Sequence, residues 1–344
     1  MKWRNVTSLS GTTPSVEALG LNAQPEGVLM HNHALIDIHA HFTAPTTNDA
    51  REAAWRAMRA DNFMAPAPHE WSPERAISAM DANGISMQLL STVPTTHDAL
   101  VASNTYGAAV VAESPGRFGL LAALPNDDPD LALSEIRRAR TELDADGFAM
   151  STTYNTVSMA DPRLEPVWNE LNDAAGVVFV HPDTTIPSRL GLPTPLIEVT
   201  FETARVITSM LYARVFSRFP DITFVLAHCG GALPGLSGRI ALIGTEAWVS
   251  NPNRVTSEEL RAQMRQLFLD TAASGTDANL AAALQMVPVE HIVYGGDSGV
   301  PCTDDESVAG NLAALRNSSV LHPDDMTGIA RRALALFPRL SDRL

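Results

Sequence analysis

The chain has 344 residues, 45% of them hydrophobic, and a formal net charge of −15. That charge repels phosphates and argues against nucleic acid or an anionic membrane as partner. A cation and a few arginines can still reverse the local field for a small acid. Only two cysteines occur, Cys229 and Cys302, so a disulfide framework is excluded and a reducing cytoplasm is the expected compartment.

Residues 1–34 carry Gly, Pro, Ser and Thr without clean periodicity and read as an N-terminal arm that can pack on a partner subunit. The stretch to Gly20 is polar, so no signal peptide is expected, and no later run has the apolar length of a membrane span. Short apolar runs follow at 35–42, 85–91, 118–124, 147–152, 177–182, 223–229, 267–271 and 292–297. Each is nearly continuous in apolar character and ends in polar or Gly/Pro residues, the pattern of buried parallel strands.

The intervening segments predict helices. Ser72-Pro73-Glu74 opens one with an N-cap and a proline at its first position. The segments 130–143 and 162–175 are amphipathic, with Gly176 as a C-cap, and 277–286 has Thr276 or Asp277 as N-cap. Strands alternating with crossover helices predict an α/β fold, a single (β/α)8 TIM barrel over 35–344 with loop insertions. Three long connections stand out at 43–71, 183–200 and 230–259. The first two follow strands one and five and should lie over the active face.

The chemistry gathers at strand ends. Strand one contains His39-Ala40-His41, and side chains two apart on a strand share a face, so both imidazoles point into the barrel mouth. Strand five ends in His181, strand six in His228 and strand eight in Asp297. Neutral imidazoles suit Zn²⁺, Mn²⁺ or Fe²⁺, and polar residues at the carboxyl ends of barrel strands converge on the catalytic site. A lone His-x-His pair is weak, and the bland reading of each residue is a satisfied core histidine or a strand-terminal cap, which must be invoked separately at four strands. Four strand ends carrying such groups together point to a metal site of His39, His41, His181 and Asp297. His228 is the expected acid/base, with ligand as second choice. Asp37 lies deeper and reads as orienting an imidazole or as a buried structural hydrogen bond. Lys2 is the only lysine. A carbamylated lysine bridging two cations on a barrel strand is therefore ruled out, leaving a single-cation centre.

These residues resemble the amidohydrolase-related decarboxylases, the aminocarboxymuconate semialdehyde decarboxylase-like group, and within it the 6-methylsalicylate decarboxylase-like proteins. The likeness runs from about Leu35 to Pro338. It is carried by 36–42, by Trp71-Ser72-Pro73-Glu74, by Pro115-Gly116-Arg117-Phe118-Gly119, by 178–182, and by Ala227-His228-Cys229-Gly230-Gly231-Ala232-Leu233-Pro234. The resemblance implies one divalent cation, Zn²⁺ foremost with Mn²⁺ as alternative, on His39, His41, His181 and Asp297. It also implies His228 as acid/base, a homodimer or homotetramer, and Arg239 reaching across a dimer interface to a substrate carboxylate. Two departures bear on substrate: Ser298-Gly299-Val300-Pro301 follows Asp297 where relatives carry an aromatic residue and proline, and Arg332-Ala333 replaces an Asn-Ala pair.

The expected reaction is nonoxidative decarboxylation of a small hydroxyaromatic or unsaturated carboxylic acid, with a proton delivered by His228 or by a protonated Asp297 to the carbon bearing the carboxylate. No organic cofactor is expected. The same ligands allow a hydrolase of a lactone, ester or amide that uses a metal-activated water. Phe42, Trp71 and Phe201 are candidates for an aromatic pocket, and Tyr154 and Asn155 can reach it from strand four. Arg205 reads as a substrate contact or an ion pair. Arg51, Arg56 and Arg59 read as a solvated helical face from which one can bind a carboxylate. Alternation turns Cys229 away from the mouth. His31, His33, His69, His97, His291 and His322 read as surface or loop.

Overall fold

A computed structural model describes residues 34–344. The proposed arm, with Lys2, His31 and His33, lies outside the described residues. Among these, seven parallel strands run in sequence order around a sheet: Leu35–His41, Ile85–Ser91, Phe118–Leu124, Gly147–Ser151, Val177–His181, Thr223–Leu226 and Phe268–Leu269. The registers step regularly, as in Phe148 against Val178 and Val178 against Phe224.

The eighth position is filled, though less regularly than the apolar run 292–297 predicts. Val293 N donates to Leu269 O at 2.9 Å on one side. On the other, Ile38 N donates to Tyr294 O at 3.1 Å, Asp297 N to His39 O at 2.8 Å and His41 N to Ser298 O at 2.7 Å. The barrel therefore closes, with isolated bridges at Ile292 and Ser298 in place of a ladder. The cause is local: Gly295-Gly296 removes side chains that would collide with Asp270 and Asp37, and Asp297 takes φ 58°.

The interior is sealed from below. Ile36, Leu121, Ala149, Phe179 and Val225 point inward and pack with Phe337 and Leu340 from the C-terminus. A Cβ at Gly147 would sit 3.0 Å from the Phe337 ring, so glycine there lets the plug approach. Polar chemistry is confined to the opposite, carboxyl end.

Helix starts follow their capping chemistry. Ser72 caps Pro73–Asn83 through Arg75 N, and Gly84 ends it with φ 70°. Asp128 caps Pro129–Thr141, a helix that ends two residues short of the predicted 143. The segment 162–175 divides into a 3-10 turn, Pro162–Leu164, and a helix, Glu165–Asp173, and Ala175 rather than Gly176 takes the left-handed conformation. Asp277–Met286 forms as predicted with Thr276 at the N-cap, while Asp277 accepts from Ser318 and Ser319. The three long connections all contain helix, which the arginine spacing already indicates in the first. Asn48–Ala60 lies in the first, Thr194–Tyr212 begins in the second, and Leu233–Ile243 occupies the third.

Candidate metal centre and active site

His39, His41, His181 and Asp297 meet, their ligand atoms all within 4.8 Å of one another. The convergence does not come from simple alternation. A register irregularity lies between Asp37 and Ala40 on the first strand. Ile38 packs in the interior cluster, while Ala40 and Phe42 belong to the outer one. The break turns His39 and His41 together toward the mouth and separates them from Asp37. Asp37 accepts from His39 N at 3.0 Å, Gly296 N at 2.8 Å and Gln88 Nε2 at 3.0 Å, and holds backbone rather than an imidazole. Burial pushes its pKa up to about 7.

The group that orients an imidazole is Asp270, at the end of the seventh strand. Its Oδ2 lies 2.6 Å from Nδ1 of His39, both side chains fully buried. His41 donates from Nδ1 to Ser91 O at 3.0 Å, and His181 from Nδ1 to Pro182 O at 2.9 Å. All three rings thus spend Nδ1–H on an acceptor, which leaves each Nε2 as a lone pair. Nε2 of His39 and of His41 are 2.9 Å apart, and Asp297 Oδ1 lies 3.2 and 3.3 Å from them. Three lone pairs and a carboxylate oxygen directed at one point are a donor set for a divalent cation.

The remaining carboxylate oxygen is also held, since Thr303 Oγ1 donates to Asp297 Oδ2 at 2.9 Å. Burial opposes charging of Asp297, but His39 and His41 outweigh it and keep the carboxyl well below the usual carboxylate range. Burial likewise opposes charging of His39, yet Asp270 and Asp297 carry that ring up to about 10 in the cation-free chain. Burial and then the neighbouring histidines hold His181 well below the ordinary histidine value.

His228 stands beside this cluster, its ring centroid 5.0 Å from His39 and 5.7 Å from His181. The sixth strand ends at Leu226, not at residue 229. His228 sits in a tight turn in which His228, Cys229, Gly230 and Gly231 all have positive φ. Consecutive left-handed residues are costly and persist where surrounding structure holds them, often at functional sites. A Cβ at Gly231 would meet Thr200 O at 2.4 Å, so the turn is wedged against the helix Thr194–Tyr212. Burial lowers the His228 pKa, with Asp297 partly opposing. Cys229 is buried in the outer core, and burial raises its thiol to about 12.

Two cavities open on the centre. The larger, about 890 Å³, is lined by His41 and His181 together with Phe42, Arg51, His69, Tyr154 and Asn155. The smaller, about 620 Å³, is lined by the same two ligands and by Asp297, His228, Thr200 and Thr303.

Other candidates fall elsewhere. Trp71 packs behind Phe42, ring centroids 6.0 Å apart, and lines neither cavity. Phe201 is exposed beneath the Arg205 guanidinium, and Arg205 pairs with Glu202 at 3.9 Å, because that face of the helix turns outward. Arg239 is exposed on Leu233–Ile243, outside both cavities of its own chain. Arg56 faces solvent and Arg59 donates to Ala65 O, whereas Arg51 reaches the larger cavity while bonded to Glu70. His69 lies in a loop, as expected, and forms part of the wall of that cavity. His97 stacks on Tyr154 and bonds Asp127, and the half-buried His291 stacks on Phe268. His322 caps the helix Pro323–Leu336. Asp270, Thr303 and His69 escaped sequence reasoning. The only signal was the polar end of the run 267–271, which is of the same kind that marked Asp297.

A closed parallel barrel with a buried His/His/His/Asp centre at its carboxyl face defines a metal-dependent barrel enzyme. The chain belongs to the amidohydrolase family, whose model matches residues 36–339. It is 31% identical to a protein named decarboxylase yanB from Aspergillus niger, across 88% of this chain and 87% of that protein. It is 28% identical to 6-methylsalicylic acid decarboxylase from Penicillium expansum, across 89% of this chain and 97% of that one. Its fold matches a dihydroxybenzoic acid decarboxylase from Polaromonas with bound manganese and 2-nitroresorcinol, with TM-score 0.73 and 21% identity, over 91% of this chain and 99% of that one.

Proposed function

We propose that this chain is a metal-dependent nonoxidative decarboxylase of a small hydroxyaromatic or unsaturated carboxylic acid, salicylate-like in its chemistry. The observation that carries the reading is a half-buried histidine, His228, beside a four-residue cation site and sharing one cavity with it. When bound, the cation supplies a Lewis acid that anchors and polarises substrate oxygens.

The chain's own groups do the rest. With Nδ1 3.4 Å from Ala272 O, His228 delivers a proton from Nε2 to the carbon bearing the carboxylate only as the imidazolium, a form that burial opposes and the nearby Asp297 and Asp270 favour. The ring supplies the electron pair for the new C–H bond. The C–C bond to the carboxylate then breaks, its pair restores the aromatic system, and CO₂ leaves. Asp297 is the weaker donor, because His39 and His41 hold it ionised. The cavity walls fix the acid in one orientation.

Zn²⁺ is the proposed cation, with Mn²⁺ as alternative; the nitrogen-rich donor set suits both. A homodimer or homotetramer is supported by exposed Leu196, Leu242 and Trp248. Arg239 is proposed to serve a partner's site, and Phe42 and Tyr154 to contact substrate. Scarce cysteines support the cytoplasm as compartment. Among the described residues no helix is long and apolar enough to cross a membrane.

Metal-loaded protein incubated with a panel of hydroxybenzoates should release CO₂ and the matching phenols. His228→Ala should retain the cation and lose ~10²–10⁴-fold in rate. Silence across the panel, with ¹⁸O from water entering products of lactones or esters, would establish the hydrolase instead.

A further inference from the structure

The two cavities divide the chemistry unequally. His228 and Asp297 line only the smaller one, whereas His41 and His181 line both. A cation on those ligands is therefore reached from two sides, but a proton from His228 can be delivered on one side only. Proton transfer requires contact. The reacting carbon must then lie in the smaller cavity, which at about 620 Å³ already has room for a single aromatic ring and its carboxylate.

The larger cavity is left without a role in that step, yet it is built as a binding site. Its walls are mainly apolar, from residues such as Trp55, Met58, Val93 and Ile186. Tyr154 and His69 stand out among the polar side chains on the same walls. Tyr154 Oη and His69 Nε2 are both buried and have no hydrogen-bond partner among the described residues. Buried polar atoms in native proteins are normally satisfied, so two such groups on one cavity wall call for a partner from outside the chain. An apolar pocket with a few convergent polar groups is the general form of a small-molecule site.

Gly299 packs directly on the His41 backbone at the border of the larger cavity. It has φ 86°, and a Cβ there would lie 2.0 Å from His41 O. The position tolerates no side chain, and Gly299 itself lines the larger cavity where it borders His41.

We propose that the larger cavity is a second subsite, and that the preferred substrate is a two-part acid. A hydroxyaromatic carboxylate occupies the smaller cavity. An apolar substituent ending in a hydroxyl or carbonyl passes the cation and bonds Tyr154 and His69. This rests on the decarboxylase reading for the reacting end, and on the cavity walls alone for the remote end.

The test compares salicylate with salicylates bearing a hydroxyphenyl group at each free ring position, on the metal-loaded full chain. At least one extended acid should exceed salicylate tenfold or more in kcat/KM. Tyr154→Phe, which removes the hydroxyl alone, and Ala54→Trp, which fills the cavity from the helix Asn48–Ala60, should each cut that ratio about tenfold. Salicylate turned over as well as every extended acid, or a ratio unmoved by both variants, overturns the subsite while leaving decarboxylation standing. If no acid releases CO₂, decarboxylation fails and the subsite is judged by calorimetry on the same ligands. Tighter binding of an extended acid, abolished by Ala54→Trp, supports it, and equal affinities overturn it.

Discussion

Asp270 and His39, separated by 231 positions in the chain, are joined by a 2.6 Å contact between carboxylate and ring Nδ1 at complete burial. The contact fixes the tautomer of His39, so that Nε2 is the atom presented to a cation. Asp270→Asn keeps the shape but allows the amide to donate to the ring and to favour the wrong tautomer. Cation affinity should fall about 10–100-fold, read by competition with a chelator, with the fold unchanged by circular dichroism. Wild-type affinity in this variant would mean that Asp270 is only structural.

Thr303 does for Asp297 what Asp270 does for His39. Its hydroxyl occupies Oδ2 and leaves Oδ1 facing His39 and His41. Thr303→Val removes the donor at nearly constant volume and should weaken cation binding about tenfold, whereas Thr303→Ser should restore it. Equal loss in both variants would point to packing rather than the hydrogen bond.

The cation must displace a proton. In the cation-free chain His39 is raised to about 10, because Asp270 and Asp297 overcome the effect of burial, so the ring is protonated at neutral pH. Metal ligation needs the neutral ring, and affinity should therefore rise with pH until about 10 and fall as the solution is acidified. Calorimetry in buffers of differing ionisation enthalpy should find about one proton released per cation at pH 7. No release would mean that the ring is already neutral there.

Much of the centre was legible because strand ends carry period-independent signals. A histidine or aspartate that terminates an apolar run stands out whatever the exact register. That is why His39, His41, His181 and Asp297 could be grouped before any coordinates. The irregularity between Asp37 and Ala40 was not legible, since a bulge leaves no compositional mark, and so the choice for Asp37 between orienting an imidazole and a buried structural hydrogen bond, which is the one that forms, stayed open. Asp270 carried the same kind of signal as Asp297 but sits in a run whose strand is only two residues long. His69 and Thr303 lie on connections, where no periodicity ties a residue to a strand end. Of the two readings open for Arg205, the ion pair with Glu202 is the one that forms, and Phe201 was misplaced because its helix presents that face to solvent, which spacing alone did not fix.

The central claim is that three imidazoles and one carboxylate share a single ion. Elemental analysis followed by an anomalous-scattering structure of the purified protein addresses it directly. The account predicts one divalent cation per chain, with Nε2 of His39, His41 and His181 and an oxygen of Asp297 each at roughly 2.0–2.2 Å. An ion bound elsewhere, two ions in the centre, or four side chains that fail to touch a common ion would contradict it.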